Sequence, residues 1–125
     1  MRCTWGPTPT SVLGDWSVDE DAVVAIPDAT RPLDVGPALS ALRPRIGGRM
    51  TVVVGLGLHR RLTAAERTAL SAWNPVESDP DDVVATTEVD GIPGELTRVA
   101  TRARVRISVG LCELHQYAGV SGGHK

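Results

Sequence analysis

The chain has 125 residues, enough for one domain whose hydrophobic core needs neither disulfides nor metal ions to hold it together. A formal net charge of −2 and a pI near 5.9 give no reason to expect nucleic acid as a partner. The two cysteines, Cys3 and Cys112, fit neither a disulfide framework nor a metal quartet. The sequence shows no signal peptide and no apolar run of the roughly 18 residues that a membrane span needs. We therefore expect a cytoplasmic protein with no membrane partner.

The first half of the chain predicts two strands and a helix. Residues 1–21 are rich in Pro, Gly, Thr, Ser and acidic residues, and we expect an irregular segment there. The apolar run at 22–26 predicts a buried strand. Residues 33–42 have apolar side chains at nearly helical spacing and predict a helix. The β-branched run at 50–57 predicts the second strand.

The second half continues the alternation of helices and strands. The sequence Thr-Ala-Ala-Glu at 63–66 is a capping box, so a helix should begin there and run to about Trp73. Residues 81–87 predict a third strand, residues 94–103 a short helix, and residues 104–112 a fourth strand.

The whole pattern predicts one α/β domain over residues 22–125, with a mostly parallel, Rossmann-like sheet and flanking helices. In such sheets the functional groups lie beyond the carboxyl ends of the strands. The chemically active side chains fall at those places: Asp28 and Arg31 after the first strand, His59 after the second, and His115, Gly122, Gly123 and Lys125 after the fourth.

Each of these features also has a purely structural interpretation. Asp28 and Arg31 could form a local ion pair or cap the helix that follows. His59 could be a surface residue, and His115 could be a half-buried imidazole with its hydrogen bonds satisfied. The glycine-rich end of the chain could be a tail, since it matches a phosphate-binding loop only weakly. The coincidence of these residues on one predicted edge of the sheet favours a functional site.

Two histidines at one pocket have a definite chemical use. Imidazoles titrate near neutral pH, so a pair on opposite faces of a substrate can transfer protons on both sides of an inverted carbon. The hydrogen on a carbon that carries a hydroxyl group is only weakly acidic. It would leave as hydride, and a cofactor would have to accept it.

Three stretches resemble the N-terminal domain of the nickel-pincer lactate racemase family: DATRP, GLGLHRRLTAAE and ELHQYAGVSGGHK. In that family the last motif reads roughly Glu-Pro-His-x-x-Ala-Gly-x-Ser-Gly-Gly-x-Lys, and the sequence follows it except that Leu114 replaces the proline. The resemblance covers the chain from about residue 22 to the end.

The resemblance implies a role for each candidate residue. His59 and His115 would be the two acid–base histidines that take the proton of the substrate hydroxyl. Lys125 would bind the cofactor, the nickel-pincer nucleotide (pyridinium-3-thioamide-5-thiocarboxylic acid mononucleotide with nickel), through a thioamide. The residues that would contact the cofactor or its phosphate are Asp28, Arg31, Gly122 and Gly123.

Family members have two domains, and their nickel-ligating histidine follows the cofactor lysine, so the resemblance implies no metal ligand in this chain. We expect the cofactor-carrying N-terminal half of a 2-hydroxy acid racemase or epimerase, in a truncated or split form. We also expect little activity unless a second domain or partner chain is supplied. The alternative is a non-catalytic module that binds a small anion or a partner protein. A third possibility is a fragment with no function of its own.

Overall fold

The computed structural model describes residues 15–86, 88, 90–115 and 119–121, with the backbone alone at 115, 120 and 121. The elements follow one another as β1 (Ala22–Pro27), α1 (Gly36–Leu42), β2 (Met50–Gly55), α2 (Ala64–Ala69), β3 (Val76–Glu77), β4 (Val83–Ala85), β5 (Glu95–Thr97), β6 (Val105–Ser108), β7 (Glu113–His115) and β8 (Gly119–Ser121). Short 3-10 turns lie at Arg43–Arg45, Ser71–Trp73 and Arg98–Arg102.

Four of the strands form a parallel sheet in the spatial order β3-β2-β1-β6. The central pair, β1 and β2, is in register from Ala22 opposite Met50 to Pro27 opposite Gly55. Two antiparallel ribbons, β4–β5 and β7–β8, lie outside this sheet. The predicted α/β class, with a mostly parallel sheet and flanking helices, is confirmed.

The central strands are apolar throughout because both faces of the sheet are covered. Successive side chains of a strand point to opposite faces, so alternate residues join different cores. On one face Val24 and Val54 pack with Leu39 of α1, and the segment around α2 adds Leu70 to the same cluster. On the other face a smaller cluster joins Val23, Val53 and Val99, the last of these from the 3-10 turn at Arg98–Arg102.

The capping box predicted at the start of α2 is confirmed. The Thr63 hydroxyl accepts a hydrogen bond from the Glu66 amide at 3.3 Å, and Glu66 Oε2 accepts one from the Thr63 amide at 2.7 Å. The helix is shorter than the sequence predicts, since the α-helical part ends at Ala69 and a 3-10 turn covers the remainder to Trp73. Asn74 then takes a left-handed conformation with φ of 43°, which ends the segment.

Of two further segment predictions, one is right about the strand but not about its sheet, and the other is wrong. The predicted third strand at 81–87 yields β4, which pairs with β5 outside the parallel sheet, and the sheet's third strand is Val76–Glu77. A strand of two residues is too short to produce the alternation that identifies strands in a sequence. The predicted helix at 94–103 is instead β5 followed by a 3-10 turn, because β-branched residues there disfavour an α-helix.

The described part of the N-terminal segment is attached to the domain by one backbone bridge. The Val18 amide donates to the Arg45 carbonyl at 2.8 Å, and the Gly47 amide donates to the Val18 carbonyl at 2.7 Å. The Arg45 guanidinium also lies 5.5 Å from the centre of the Trp16 ring, a cation–π distance. Across the ranges that the structure describes, no helix has the length and apolar character needed to cross a bilayer.

Candidate active site

A cleft of about 670 Å³ lies at the carboxyl ends of β1, β2 and β6. The chain passes outward from β1 through β2 to β3 and then returns with β6 on the other side of β1. Loops leave the sheet in opposite directions at such a switch point, which opens a crevice where ligands bind in open α/β sheets. Side chains that line the cleft include Asp28, Arg31, His59 and Glu113. The volume suits a small molecule or a mononucleotide.

The position of His59 follows from the register of β1 and β2. Pro27 lies opposite Gly55, so the next residues, Asp28 and Leu56, leave the sheet side by side. The His59 amide then donates to the Leu56 carbonyl at 2.9 Å, which turns the chain back within four residues. Gly57 takes a φ of +55° in that turn, a conformation that glycine adopts without steric cost. The turn thereby returns His59 to the neighbourhood of Asp28.

His59 and Asp28 form the central contact of the site. The ring atom Nδ1 of His59 lies 2.8 Å from Oδ2 of Asp28, and the other carboxylate oxygen accepts a hydrogen bond from the Thr30 amide at 2.8 Å. The Asp28 side chain is 8% exposed, whereas that of His59 is 45% exposed. The carboxylate is therefore buried beneath a ring that remains accessible from the cleft.

Two opposing effects act on the Asp28 carboxyl. Burial alone would raise its pKa, but hydrogen bonds from the Thr30 side chain, from His59 and from the Thr30 amide together hold that pKa below its ordinary value. The group is consequently ionised at neutral pH and can only accept hydrogen bonds.

The ionised carboxylate fixes the protonation of the histidine ring. Because Asp28 can only accept, the neutral His59 ring carries its proton on Nδ1 and presents a lone pair at Nε2. Within the described part of the chain, Nε2 has no hydrogen-bond partner. An imidazole held in this way can take a proton at Nε2, and the imidazolium that forms is stabilised by the carboxylate behind it.

Arg31 and Glu113 link the first strand end to the ribbon that carries His115. One guanidinium nitrogen of Arg31 lies 3.3 Å from Oε2 of Glu113 across 82 positions of sequence. The Arg31 and Glu113 side chains are 44% and 37% exposed, so the pair lies at the rim of the cleft and contributes little stability by itself. The other donors of Arg31 face no partner among the described residues. Arg31 therefore offers guanidinium donors at the rim that can pair with an anionic group, beside the Glu113 carboxylate.

The family model of the lactate racemase N-terminal domain matches residues 14–125. The chain belongs to this family. Comparisons with curated proteins and with solved structures gave no match.

Membership of the lactate racemase family implies a nickel-pincer cofactor in general. The cleft has the size of a mononucleotide site, and the Arg31 guanidinium at its rim has donors that can pair with a phosphate, so the residues fit an anionic nucleotide. In the ranges that the structure covers, no cluster of three or more His, Cys, Asp or Glu side chains could hold a metal ion. The described residues thus fit the organic part of such a cofactor and offer no ligand set for its metal.

The structure brings three of the predicted site residues, Asp28, Arg31 and His59, to the same cleft. Asp28 and Arg31 do not pair with each other, contrary to the local ion pair that the sequence also allows, because each has a distant partner. His115 is the last residue of β7, where it pairs with Gly119, and its side chain is not described. The remaining predicted residues, Gly122, Gly123 and Lys125, lie outside the described residues.

The sequence reasoning missed two residues of this lactate racemase domain that contribute to the site. Thr30 supplies the amide that holds Asp28, and its hydroxyl lies 3.3 Å from Nδ1 of His59. Glu113 supplies the partner of Arg31. Each lies inside one of the motifs given above, Thr30 next to Arg31 and Glu113 two positions before His115, so membership of the motif was the available signal.

Proposed function

We propose that this chain is the cofactor-carrying domain of a 2-hydroxy acid racemase or epimerase, in which His59 transfers a proton to and from the substrate hydroxyl. The observation that carries the proposal is the 2.8 Å contact between Nδ1 of His59 and a carboxylate that is almost fully buried. It orients an accessible imidazole at the mouth of the cleft in a chain of the lactate racemase family.

The proposed chemistry assigns one task to each residue of the pair. His59 accepts the hydroxyl proton of the substrate at Nε2 and returns it after the carbon has been inverted. Asp28 keeps the ring in the tautomer that can accept at Nε2 and offsets the positive charge of the imidazolium. The nickel-pincer nucleotide, when bound, would supply the hydride acceptor that the carbon bearing the hydroxyl needs. His115 is proposed as the matching residue for the opposite face of the substrate.

We assign the binding of the cofactor to the cationic and glycine-rich parts of the site. Lys125 is proposed to bind it through a thioamide, with Gly122 and Gly123 close to it. Arg31 is proposed to pair with an anionic group of the cofactor or the substrate, because part of its guanidinium is unengaged by the residues described. For Asp28 we propose the support of His59 in place of a phosphate contact, since a buried carboxylate repels phosphate.

The substrate and the surroundings of the domain belong to the same proposal. An imidazole base near the Arg31 guanidinium suits the hydroxyl and carboxylate groups that all 2-hydroxy acids share, so we propose that the site selects the class and not one member of it. We propose that a second domain or partner chain completes the cleft and supplies the nickel ligand, and that the protein acts in the cytoplasm.

The attachment of the cofactor can be tested by mass spectrometry. The chain is incubated with the nickel-pincer nucleotide, and the intact mass and peptide masses are then measured. We expect an adduct at Lys125 in the wild type and in His59→Gln, and no adduct in Lys125→Arg, which keeps the positive charge. A folded wild-type chain that gains no mass would contradict the proposed role as the carrier of the cofactor.

The role of His59 needs a second measurement on the loaded protein with its completing domain. His59→Gln should lower the interconversion of D- and L-2-hydroxy acids by about 10²- to 10⁴-fold, the usual contribution of an acid–base residue. The alternative function, a non-catalytic module for a small anion, is favoured by the exposed Arg31 guanidinium. It predicts instead that ligand binding depends on Arg31 and that His59→Gln has little effect.

A further inference from the structure

Glu77 is a buried carboxylate that the proposed chemistry does not use. It is the last residue of β3, and its side chain is 5% exposed. Its two carboxylate oxygens meet two arginines, Arg61 at 3.3 Å and Arg67 at 2.5 Å. Removing a charge from water is costly, so a carboxylate in such a place needs these partners. The two arginines belong to different parts of the chain, because Arg67 lies on α2 and Arg61 lies two residues beyond His59.

The residue after Glu77, Ser78, contacts the start of the segment that carries His59. The hydroxyl of Ser78 accepts a hydrogen bond from the Leu56 amide at 2.9 Å, and the Ser78 amide donates to the Val54 carbonyl at 2.9 Å. We call residues 56–61 the His59 loop. Its first residue is held by Ser78 and its last residue is held by Glu77. Two consecutive residues, Glu77 at the end of β3 and Ser78 after it, therefore contact both ends of the loop that carries His59.

The His59 loop needs such anchors because its tip has little packing of its own. Leu58 is 103% exposed, and a side chain placed on Gly57 would meet nothing within 4 Å. The tip is therefore positioned by polar contacts, which are the contact between Asp28 and His59, the ion pair between Arg60 and Glu66, and the hydrogen bonds at the two ends of the loop. Without them His59 would lose its register with Asp28, and a shift of about 1 Å in a catalytic group can cost 10²-fold in rate.

We propose that Glu77 and Ser78 are positioning residues for His59, which act through the two ends of the His59 loop. The proposal rests on the proposed role of His59 as an acid–base residue. It also gives a reason for β3, whose two residues pair with β2 at Val53 and Val54. The strand brings Glu77 and Ser78 into contact with the two ends of the loop.

The test uses variants that each remove one of the contacts made by Glu77 or Ser78. Ser78→Ala removes the acceptor of the Leu56 amide, and Arg61→Gln removes the ion pair between Glu77 and the loop, together with the longer contact of 3.9 Å between Arg61 and Asp79. The matched control is Arg67→Gln, which removes the other ion pair of Glu77, on α2, without touching the loop. Ser78→Thr keeps a hydroxyl at the same position and should restore the wild-type behaviour.

The readout is the histidine ring itself, measured by nitrogen NMR on the free chain at mildly alkaline pH and assigned with His59→Gln. We expect Ser78→Ala and Arg61→Gln to lower the population of the Nδ1–H tautomer of His59. Hydrogen exchange of the Leu56 amide should accelerate about tenfold in Ser78→Ala, because the amide loses its hydrogen bond. Arg67→Gln should leave the His59 tautomer unchanged even where it lowers the unfolding midpoint.

The proposal is overturned if Ser78→Ala and Arg61→Gln leave the ring tautomer unchanged, or if Arg67→Gln shifts it equally, since Glu77 would then act on stability alone. These outcomes are independent of catalysis, because the measurement needs neither cofactor nor substrate. A chain that shows the expected tautomer shifts but never binds the cofactor would refute the proposed function and leave the positioning role of Glu77 and Ser78 in place.

Discussion

Replacing Asp28 by asparagine gives the sharpest test of the site, because it removes the charge and keeps the shape. In the wild type one carboxylate oxygen accepts from the Thr30 amide and the other faces Nδ1 of His59. An asparagine that keeps its oxygen on the Thr30 amide must turn its NH₂ group toward His59. The ring would then accept at Nδ1 and carry its proton on Nε2. His59 would present a donor to the cleft where the wild type presents an acceptor.

Asp28→Asn should lower the stability of the domain slightly and its turnover strongly. A hydrogen bond to a charged group contributes about 1.5–3 kcal/mol when it is well buried. Because the His59 side chain is 45% exposed, solvent screening should reduce the cost of Asp28→Asn to about 1 kcal/mol of unfolding free energy. Turnover should fall much more, by about 10²- to 10⁴-fold, since the wrong tautomer cannot accept the substrate proton.

The same variant should change how stability depends on pH. Asp28 has a folded-state pKa below its ordinary value of 3.8, so its contribution is complete above 3.8 and is lost as the pH falls below that value and through the lower folded-state pKa. The unfolding free energy of the wild type should therefore fall more steeply with acid than that of Asp28→Asn. Urea unfolding between neutral and acidic pH measures the difference.

Asp34→Asn is the matched control. Asp34 accepts a hydrogen bond from the amide two residues ahead at 3.0 Å, as Asp28 does, but among the described residues it has no histidine partner. Nitrogen NMR should find the His59 ring unchanged in Asp34→Asn and converted to the Nε2–H tautomer in Asp28→Asn. If the ring keeps its proton on Nδ1 in Asp28→Asn, the carboxylate does not set the tautomer and the reasoning fails.

Two further predictions concern the segment around His59. Gly57→Ala should lower the unfolding free energy in urea titrations by about 1–2 kcal/mol, because a φ of +55° strains any residue that has a Cβ. The space around that Cβ is open, so backbone strain is the only cost expected, and a variant as stable as the wild type would show that the turn relaxes. The Arg60 side chain, together with the Thr63 amide, lowers the pKa of Glu66 from 4.5 to about 2. The wild type should therefore be more stable than Glu66→Gln above pH 4.5, and this advantage should disappear as the pH falls toward 2. A difference in unfolding free energy that stays constant with pH would contradict this assignment.

The central strands could be predicted from the sequence because their signal is local. β1 and β2 are continuous apolar runs, and burial on both faces requires that composition. The capping box at the start of α2 is equally local, since its two hydrogen bonds join residues three positions apart. β3 and β5 have no such signal. They are strands only because their neighbours pair with them, β3 with β2 and β5 with β4.

The site, too, could be predicted from the sequence only in part. That Asp28, Arg31 and His59 end near one edge follows from the order of the elements, since parallel strands share the edge at their carboxyl ends. That His59 contacts Asp28 and not Arg31 depends on two facts that the sequence does not display. One is the register that places Pro27 opposite Gly55, and the other is the turn from Leu56 to His59.

Register and turn together restrict the spacing between strand and histidine. Four positions separate Gly55 from His59, one to leave the strand beside Asp28 and three to complete the hydrogen-bonded turn that returns the ring to the carboxylate. A residue inserted within this turn would break the bond between the His59 amide and the Leu56 carbonyl and carry the ring away from Asp28. Ser78 would still contact the Leu56 amide and Glu77 would still contact Arg61, so the added residue would bulge into solvent. The histidine would then remain at the cleft without the carboxylate that fixes its proton.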